Sequence, residues 1–178
     1  MSINAVLSRI DDQLPDAIKR VEGLLRIPSI STDPAYAEHC ESAADWLVAD
    51  LQSLGAKAEK RSTPGHPMVV GHIDGPGPHL LFYGHYDVQP VDPLELWNSD
   101  PFAPEVQNTE QGKVIRARGA SDDKGQLMTF VEACRAYEDV TGALPCAITF
   151  FFEGEEESGS PSLIPFLREN AAELSADL

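Results

Sequence analysis

Residues 146–152, Cys-Ala-Ile-Thr-Phe-Phe-Phe, run without a break into Glu153-Gly154-Glu155-Glu156-Glu157. A short apolar run this rich in aromatic residues reads as a buried strand, which belongs inside a layered sheet. Four glutamates within the next five residues repel one another unless they are solvated, protonated or bound to cations. A solvated acidic turn is the plain alternative. The cluster's position, after the most apolar strand and before a helix that Ser160-Pro161 is expected to start as N-cap and first turn, favours a role.

The rest of the chain alternates in the same way. Apolar residues recur at helical spacing over residues 16–25, and Ile27-Pro28 stops the pattern and opens a polar loop. Ala43, Ala44, Leu47, Val48, Leu51 and Leu54 predict a second helix, which Gly55 is placed to end. Short β-like runs follow at residues 56–61, 68–72 and 79–83. Residues 88–104 hold Pro90, Pro93, Pro101 and Pro104 and are expected to form a long ordered loop without a regular element. After it come a strand at 114–117, a helix at 125–137, the strand at 146–152 and a closing helix through Leu167. The fold class is α/β: a layered sheet with helices on both faces, whose ligands bind beyond the carboxyl ends of its strands. The 178 residues suffice for one domain.

Charge narrows the partners. With 13 basic and 29 acidic residues the formal net charge is −16, which repels phosphate backbones and anionic lipid, so neither nucleic acid nor a membrane surface is expected as a partner. Divalent cations suit clustered carboxylates better. No stretch approaches the ~20 apolar residues of a membrane span, and the first dozen residues lack a signal peptide's apolar run. Cys40, Cys134 and Cys146 are odd in number and without metal-type spacing, which argues for a reducing, cytoplasmic setting. A cysteine hydrolase is disfavoured, since Cys134 falls in a helix and Cys146 starts a buried strand.

Chemistry collects at two further places. Leu80-Leu81-Phe82-Tyr83 ends at Gly84-His85-Tyr86-Asp87, where a neutral imidazole can ligate zinc and a nearby carboxylate can fix its tautomer. A surface turn with two polar residues is the alternative. Arg118-Gly119-Ala120-Ser121-Asp122-Asp123-Lys124-Gly125 lies between a strand and a helix, but two aspartates stand where a phosphate loop would need a cradle. Asp122 can bridge two cations or simply cap the helix. A parallel sheet would bring His85, Asp122 and Glu157 to one edge, where two cations about 3.5–4 Å apart need a bridging carboxylate and a base.

The strings G-H-Y-D-V-Q-P, R-G-A-S-D-D-K-G and E-G-E-E-E-S-G-S-P, in that order, resemble the motifs of the M20 metallopeptidases, a group that includes carnosinase-like dipeptidases and carboxypeptidase G2. The resemblance extends over essentially the whole chain, including W-N-S-D-P-F at residues 97–102. It implies a zinc-peptidase-like catalytic domain holding two divalent metal ions, Zn2+ first with Mn2+ or Co2+ as alternatives. His85 would ligate one metal with Asp87 orienting its imidazole. Asp122 would bridge both through a cis peptide to Asp123, Glu156 would be the general base, and Glu157 would ligate the second metal. Glu153 and Glu155 match no role and are expected to be solvated. Lys124 and Arg118 are expected to pair with local carboxylates, and His39, His66, His72 and His79 receive no role.

The implied activity is hydrolysis of a peptide bond in dipeptides or short peptides by a metal-activated water. An N-acyl-amino-acid deacylase of the same family and a non-catalytic acidic cation-binding module are the alternatives. Family members are longer, with a further acidic ligand, a lid and dimerisation domain and a final His ligand. Residues 1–178 are therefore expected to be the N-terminal portion of the catalytic domain of a homodimeric enzyme. Alone they should bind metal weakly, hydrolyse nothing at a useful rate and expose an apolar face.

Overall fold

The computed structural model describes residues 3–110 and 112–178. Its centre is a four-stranded sheet ordered β1-β2-β6-β3, where β1 is Lys57–Arg61, β2 Met68–Ile73, β3 His79–His85 and β6 Ala147–Glu153. The apolar run is indeed interior, pairing antiparallel with β2 and parallel with β3. Side chains alternate across a strand, so Phe150 and Phe152 enter one core while Phe151 enters the other.

Helices cover both faces. On one side α1 (Ile3–Leu25), α2 (Ala37–Ser53) and α3 (Lys124–Thr141) bury Leu24, Leu47, Leu51, Leu127 and Val131 against Val69, Phe150 and Phe152. On the other side α4 (Leu163–Glu169) brings Phe166 onto Met68, Val70 and Phe151, and Phe166 stacks on Phe151 with ring centroids 5.7 Å apart. Each such apolar side chain contributes about 1.5–3 kcal/mol on burial.

Several boundaries differ from the sequence expectation for identifiable reasons. α1 begins at Ile3 rather than residue 16 and carries Pro15 inside it. Ile10 and Leu14 continue its apolar stripe beside Met128 of α3, and the pairs Arg9–Asp139 and Arg20–Glu132 tie the two helices together, so packing carries α1 through the proline. Gly55 does follow α2, with φ of 92°, the left-handed conformation that ends helices. Residues 88–104 hold one 3-10 turn, Leu94–Leu96, and an isolated bridge from Val88 to Ile30.

The expected strand at 114–117 is β5 (Gly112–Arg116), and it does not join the central sheet. It pairs with β4 (Glu105–Thr109) as a separate ribbon. Only Val106 marks β4 as apolar, too little for periodicity to reveal. The parallel-edge argument therefore holds for β3 and β6 alone, and Asp122 reaches the site from the turn before α3. β3 is an outer strand whose Tyr83 is 42% exposed, and its Leu81 N–H donates to Leu178 O at 2.9 Å. No helix among the described residues is long and apolar enough to cross a membrane.

Candidate metal centre

β3 and β6 end side by side, with His85 opposite Glu153 in register. The chain beyond each end turns toward the other, and Asp87 lies between them, fully buried. Four donors converge on its carboxylate, the full complement such a group can accept. Oδ1 accepts from His85 Nδ1 at 3.2 Å and from Glu156 N–H at 3.2 Å. Oδ2 accepts from Ser31 Oγ at 2.6 Å and from Glu157 N–H at 3.0 Å.

Fixing Nδ1 turns the other imidazole nitrogen toward the remaining acids. His85 Nε2 lies 3.0 Å from Asp122 Oδ1 and 3.8 Å from Glu156 Oε2. Burial alone would lower the His85 pKa, but the hydrogen bond and charge of Asp87, with Asp123 and Glu156 behind it, raise it to about 9. The Asp122 and Glu156 side chains are 72% and 45% exposed, so the face they form with Nε2 is open to small molecules. The Asp122–Asp123 peptide is cis, as expected.

Four of the five sequence-predicted side chains thus meet: Asp87, His85, Asp122 and Glu156. Glu157 joins through its backbone, while its carboxylate accepts from Gln89 Nε2 at 2.7 Å. Among the described residues no three His, Cys, Asp or Glu side chains stand at metal-holding spacing. The donor chemistry nevertheless suits divalent cations: an imidazole fixed by a buried carboxylate presents its second nitrogen beside two more carboxylates.

The other two glutamates of the cluster are buried, not solvated. Glu153, with no exposed surface, accepts from Tyr83 OH at 2.6 Å and Ser160 Oγ at 3.0 Å, while its Oε2 has no partner among the described residues. Burial raises its pKa, against the pull of those two hydroxyls. Glu155 accepts from the backbone N–H of His66 at 3.1 Å and of Ser162 at 3.0 Å, joining the loop before β2 to the approach of α4. A Cβ on Gly65 would run into Glu155 Oε1, so a larger residue there would push the carboxylate out of its present position. Ser160 is consequently not the expected N-cap: it sits at φ 51° bonded to Glu153, and α4 starts at Leu163. Charge repulsion within the cluster is relieved by sending each acid to a different partner.

Two cations also depart from expectation. Lys124 is fully buried and donates to the backbone carbonyls of Leu24 at 3.2 Å and Ile27 at 2.6 Å, at the end of α1. Burial pushes its pKa down to about 7, against the pull of Cys40 and Asp87. Arg118 lies over the Trp97 ring at 5.2 Å and donates to Pro90 O at 3.0 Å.

Residues 81–177 match the family described as Peptidase family M20/M25/M40, more than half of the chain. The chain belongs to that family. It is 33% identical over 183 residues to the Cys-Gly metallodipeptidase dug1 of Schizosaccharomyces pombe, covering 96% of this chain and 38% of that protein. It is 35% identical over 159 residues to the succinyl-diaminopimelate desuccinylase of Thioalkalivibrio sulfidiphilus, covering 86% of this chain and 39% of that protein. Among solved structures, the dipeptidase Dug1p of Saccharomyces cerevisiae superposes with a TM-score of 0.86 at 26% identity, over 96% of this chain and 38% of that one. The chain thus spans about 38% of the length of the first of these relatives.

Within this M20 fold, sequence reasoning missed Ser31, Asp123 and Gln89. Asp123 Oδ2 accepts the backbone N–H of His85 at 3.0 Å, and burial raises its pKa despite that bond. Nothing in the spacing of Ser31 or Gln89 marks them, because they reach the site from loops.

Proposed function

We propose that residues 1–178 form the N-terminal part of a larger M20 catalytic domain, one that hydrolyses the peptide bond of dipeptides or short peptides. The observation that carries this reading is the four-donor Asp87 carboxylate, which orients His85 and the Glu156–Glu157 backbone together and leaves Nε2 facing Asp122 and Glu156. His85, Asp122 and Glu157 are the residues that would hold two divalent cations, Zn2+ first with Mn2+ or Co2+ as alternatives. When bound, these ions supply Lewis acidity toward an amide carbonyl and make water more acidic.

The protein's own groups do the rest. Asp87 holds the proton on Nδ1 of His85, keeping Nε2 as the outward nitrogen. Glu156, side chain half exposed, takes a proton from the attacking water and delivers it to the leaving amine nitrogen. Gln89 steers Glu157 from the rim. Likeness to the Cys-Gly metallodipeptidase over nearly the whole chain supports a dipeptide substrate. A second reading, removal of an N-acyl group from an amino acid, is favoured by the likeness to the desuccinylase. The free thiols of Cys40, Cys134 and Cys146 support a cytoplasmic setting, and the family resemblance supports a homodimer.

The test replaces Glu156 with Gln in the complete protein and assays dipeptides beside N-acyl amino acids. Turnover should fall by about 10²–10⁴-fold with bound metal unchanged by elemental analysis. Equal loss of metal and activity would make Glu156 a ligand rather than the base. No hydrolysis of either substrate class by the unmutated protein would leave the non-catalytic cation-binding module.

A further inference from the structure

The stretch between α1 and α2 reads as a polar loop in the sequence, yet it bonds to the chain around His85 and Asp87 and to Lys124 beside the Asp122–Asp123 peptide. The last turn of α1 and the residues just after it accept from Lys124, which follows the Asp122–Asp123 peptide: Leu24 O at 3.2 Å and Ile27 O at 2.6 Å. Its next residues lie against the chain that leaves β3. Ser29 Oγ donates to Tyr86 O at 2.7 Å, Val88 N–H donates to Ser29 O at 3.0 Å, and Ile30 forms a parallel bridge with Val88. Ser31 then donates from Oγ to Asp87 Oδ2 at 2.6 Å, the shortest of the four bonds on that carboxylate, while its own carbonyl oxygen lies 3.2 Å from His66 Nε2.

We propose that Ser31 is a positioning residue for the M20 site: its hydroxyl locks the Asp87 carboxylate, and through Asp87 it fixes both the His85 imidazole and the Glu156–Glu157 turn. The proposal rests on the hydrolase reading for its purpose, though not for its test. A carboxylate turns easily about its terminal torsion, and each hydrogen bond on its oxygens opposes that turn. Asp87 Oδ1 is held by His85 and Glu156, and Oδ2 by Ser31 and Glu157. Without the hydroxyl, Oδ2 keeps only the Glu157 amide, from the same short turn that supplies the Glu156 amide. Ser31 is the donor that comes from elsewhere in the chain, and its backbone is itself pinned through Ile30 and Val88. The Ser31 hydroxyl thereby ties the loop after α1 to the carboxylate on which the chain leaving β3 and the Glu156–Glu157 turn already meet.

The test compares Ser31→Thr, which keeps the hydroxyl, with Ser31→Val, which has the same shape without it, by residue-resolved amide hydrogen exchange on the 178-residue chain. The Glu156 and Glu157 amides, the two that donate to Asp87, should exchange about tenfold faster in Ser31→Val than in Ser31→Thr. The amides of Phe150, Phe151 and Phe152 should exchange equally in the two variants, and Ser31→Thr should match the unmutated chain. Equal exchange of Glu156 and Glu157 in the two variants would overturn the proposal. So would a uniform acceleration at every amide, which marks general destabilisation. Should Ser31→Val not fold, Ser31→Ala against the unmutated chain reads the same amides with the same two outcomes. Exchange needs neither metal nor turnover, so failure of the hydrolase reading would leave this result standing, and the reverse.

Discussion

The two ends of the central sheet carry nearly the same residue types and put them to opposite use. At the end away from the site, His72 of β2 and His79 of β3 both reach the buried Thr149 of β6, with Nδ1 of His72 at 2.9 Å and Nε2 of His79 at 2.7 Å from its hydroxyl oxygen. The other nitrogen of His72 lies 2.8 Å from Glu173, and Arg61 closes the group with two bonds of 2.7 and 2.6 Å to the same carboxylate. One proton arrangement satisfies the whole chain: His79 donates to Thr149, Thr149 to His72, and His72 to Glu173.

The site end also has a histidine held by an acid, but its second nitrogen faces two solvent-exposed carboxylates, and among the described residues no arginine or lysine pairs with them. Linking histidine, hydroxyl and carboxylate into one continuous chain of hydrogen bonds makes a fastening. Orienting an imidazole while leaving its far side open to further ligands makes a place where chemistry can occur.

That contrast can be broken by substitution. Asp87→Ala removes a fully buried acceptor from four donors and should destabilise the chain by about 3–5 kcal/mol, read by denaturant unfolding. Thr149→Val at the fastening end should cost less, about 1–2 kcal/mol, because the histidines it serves are partly exposed. In the complete protein Thr149→Val should leave kcat/KM unchanged. A drop in activity as large as that caused by Asp87→Ala would erase the distinction between the ends.

A smaller effect separates the two ends by pH in the metal-free chain. His85 is raised above its ordinary 6.5 to about 9, so its contribution to stability is present below pH 6.5 and is lost as pH rises through 9. Glu173 is lowered from 4.5 to about 2, chiefly by Arg61 and, against some burial, by His72. Its contribution is present above pH 4.5 and is lost as pH falls through 2. Thermal melts should show His85→Gln removing the alkaline loss alone and Glu173→Gln removing the acid loss alone. The reverse pattern would mean that the electrostatics of the two ends are misassigned.

Much of this was readable before the fold was known, for reasons that differ from residue to residue. The strand at 146–152 declared itself by apolarity, and its continuation into Glu156 and Glu157 placed the acidic turn at a sheet edge. His85 and Asp87 were legible because a strand end with spacing two is local information. Asp122 was found as a residue, but its route was misread: β5 pairs in a separate ribbon, and only tertiary contacts decide which strands share a sheet. Glu153 and Glu155 were misread as solvated because a charge run resembles a surface turn until the buried hydroxyls and amides that meet it are known. Lys124 was misread for a related cause, since the carbonyls that bury it lie about a hundred residues earlier in the chain. Ser31 carried no local signal at all, and Gln89 stood inside the G-H-Y-D-V-Q-P string without any feature that assigned it a role.

The central claim is that the open end of the sheet, not the fastened one, holds the cations. Anomalous scattering at the zinc edge from crystals of the complete protein tests it directly. Two peaks about 3.5–4 Å apart are predicted beside Asp122, one toward His85 and about 2.0–2.1 Å from its Nε2, the other toward Glu157. A peak between His72 and His79 with none beside His85 would contradict the account.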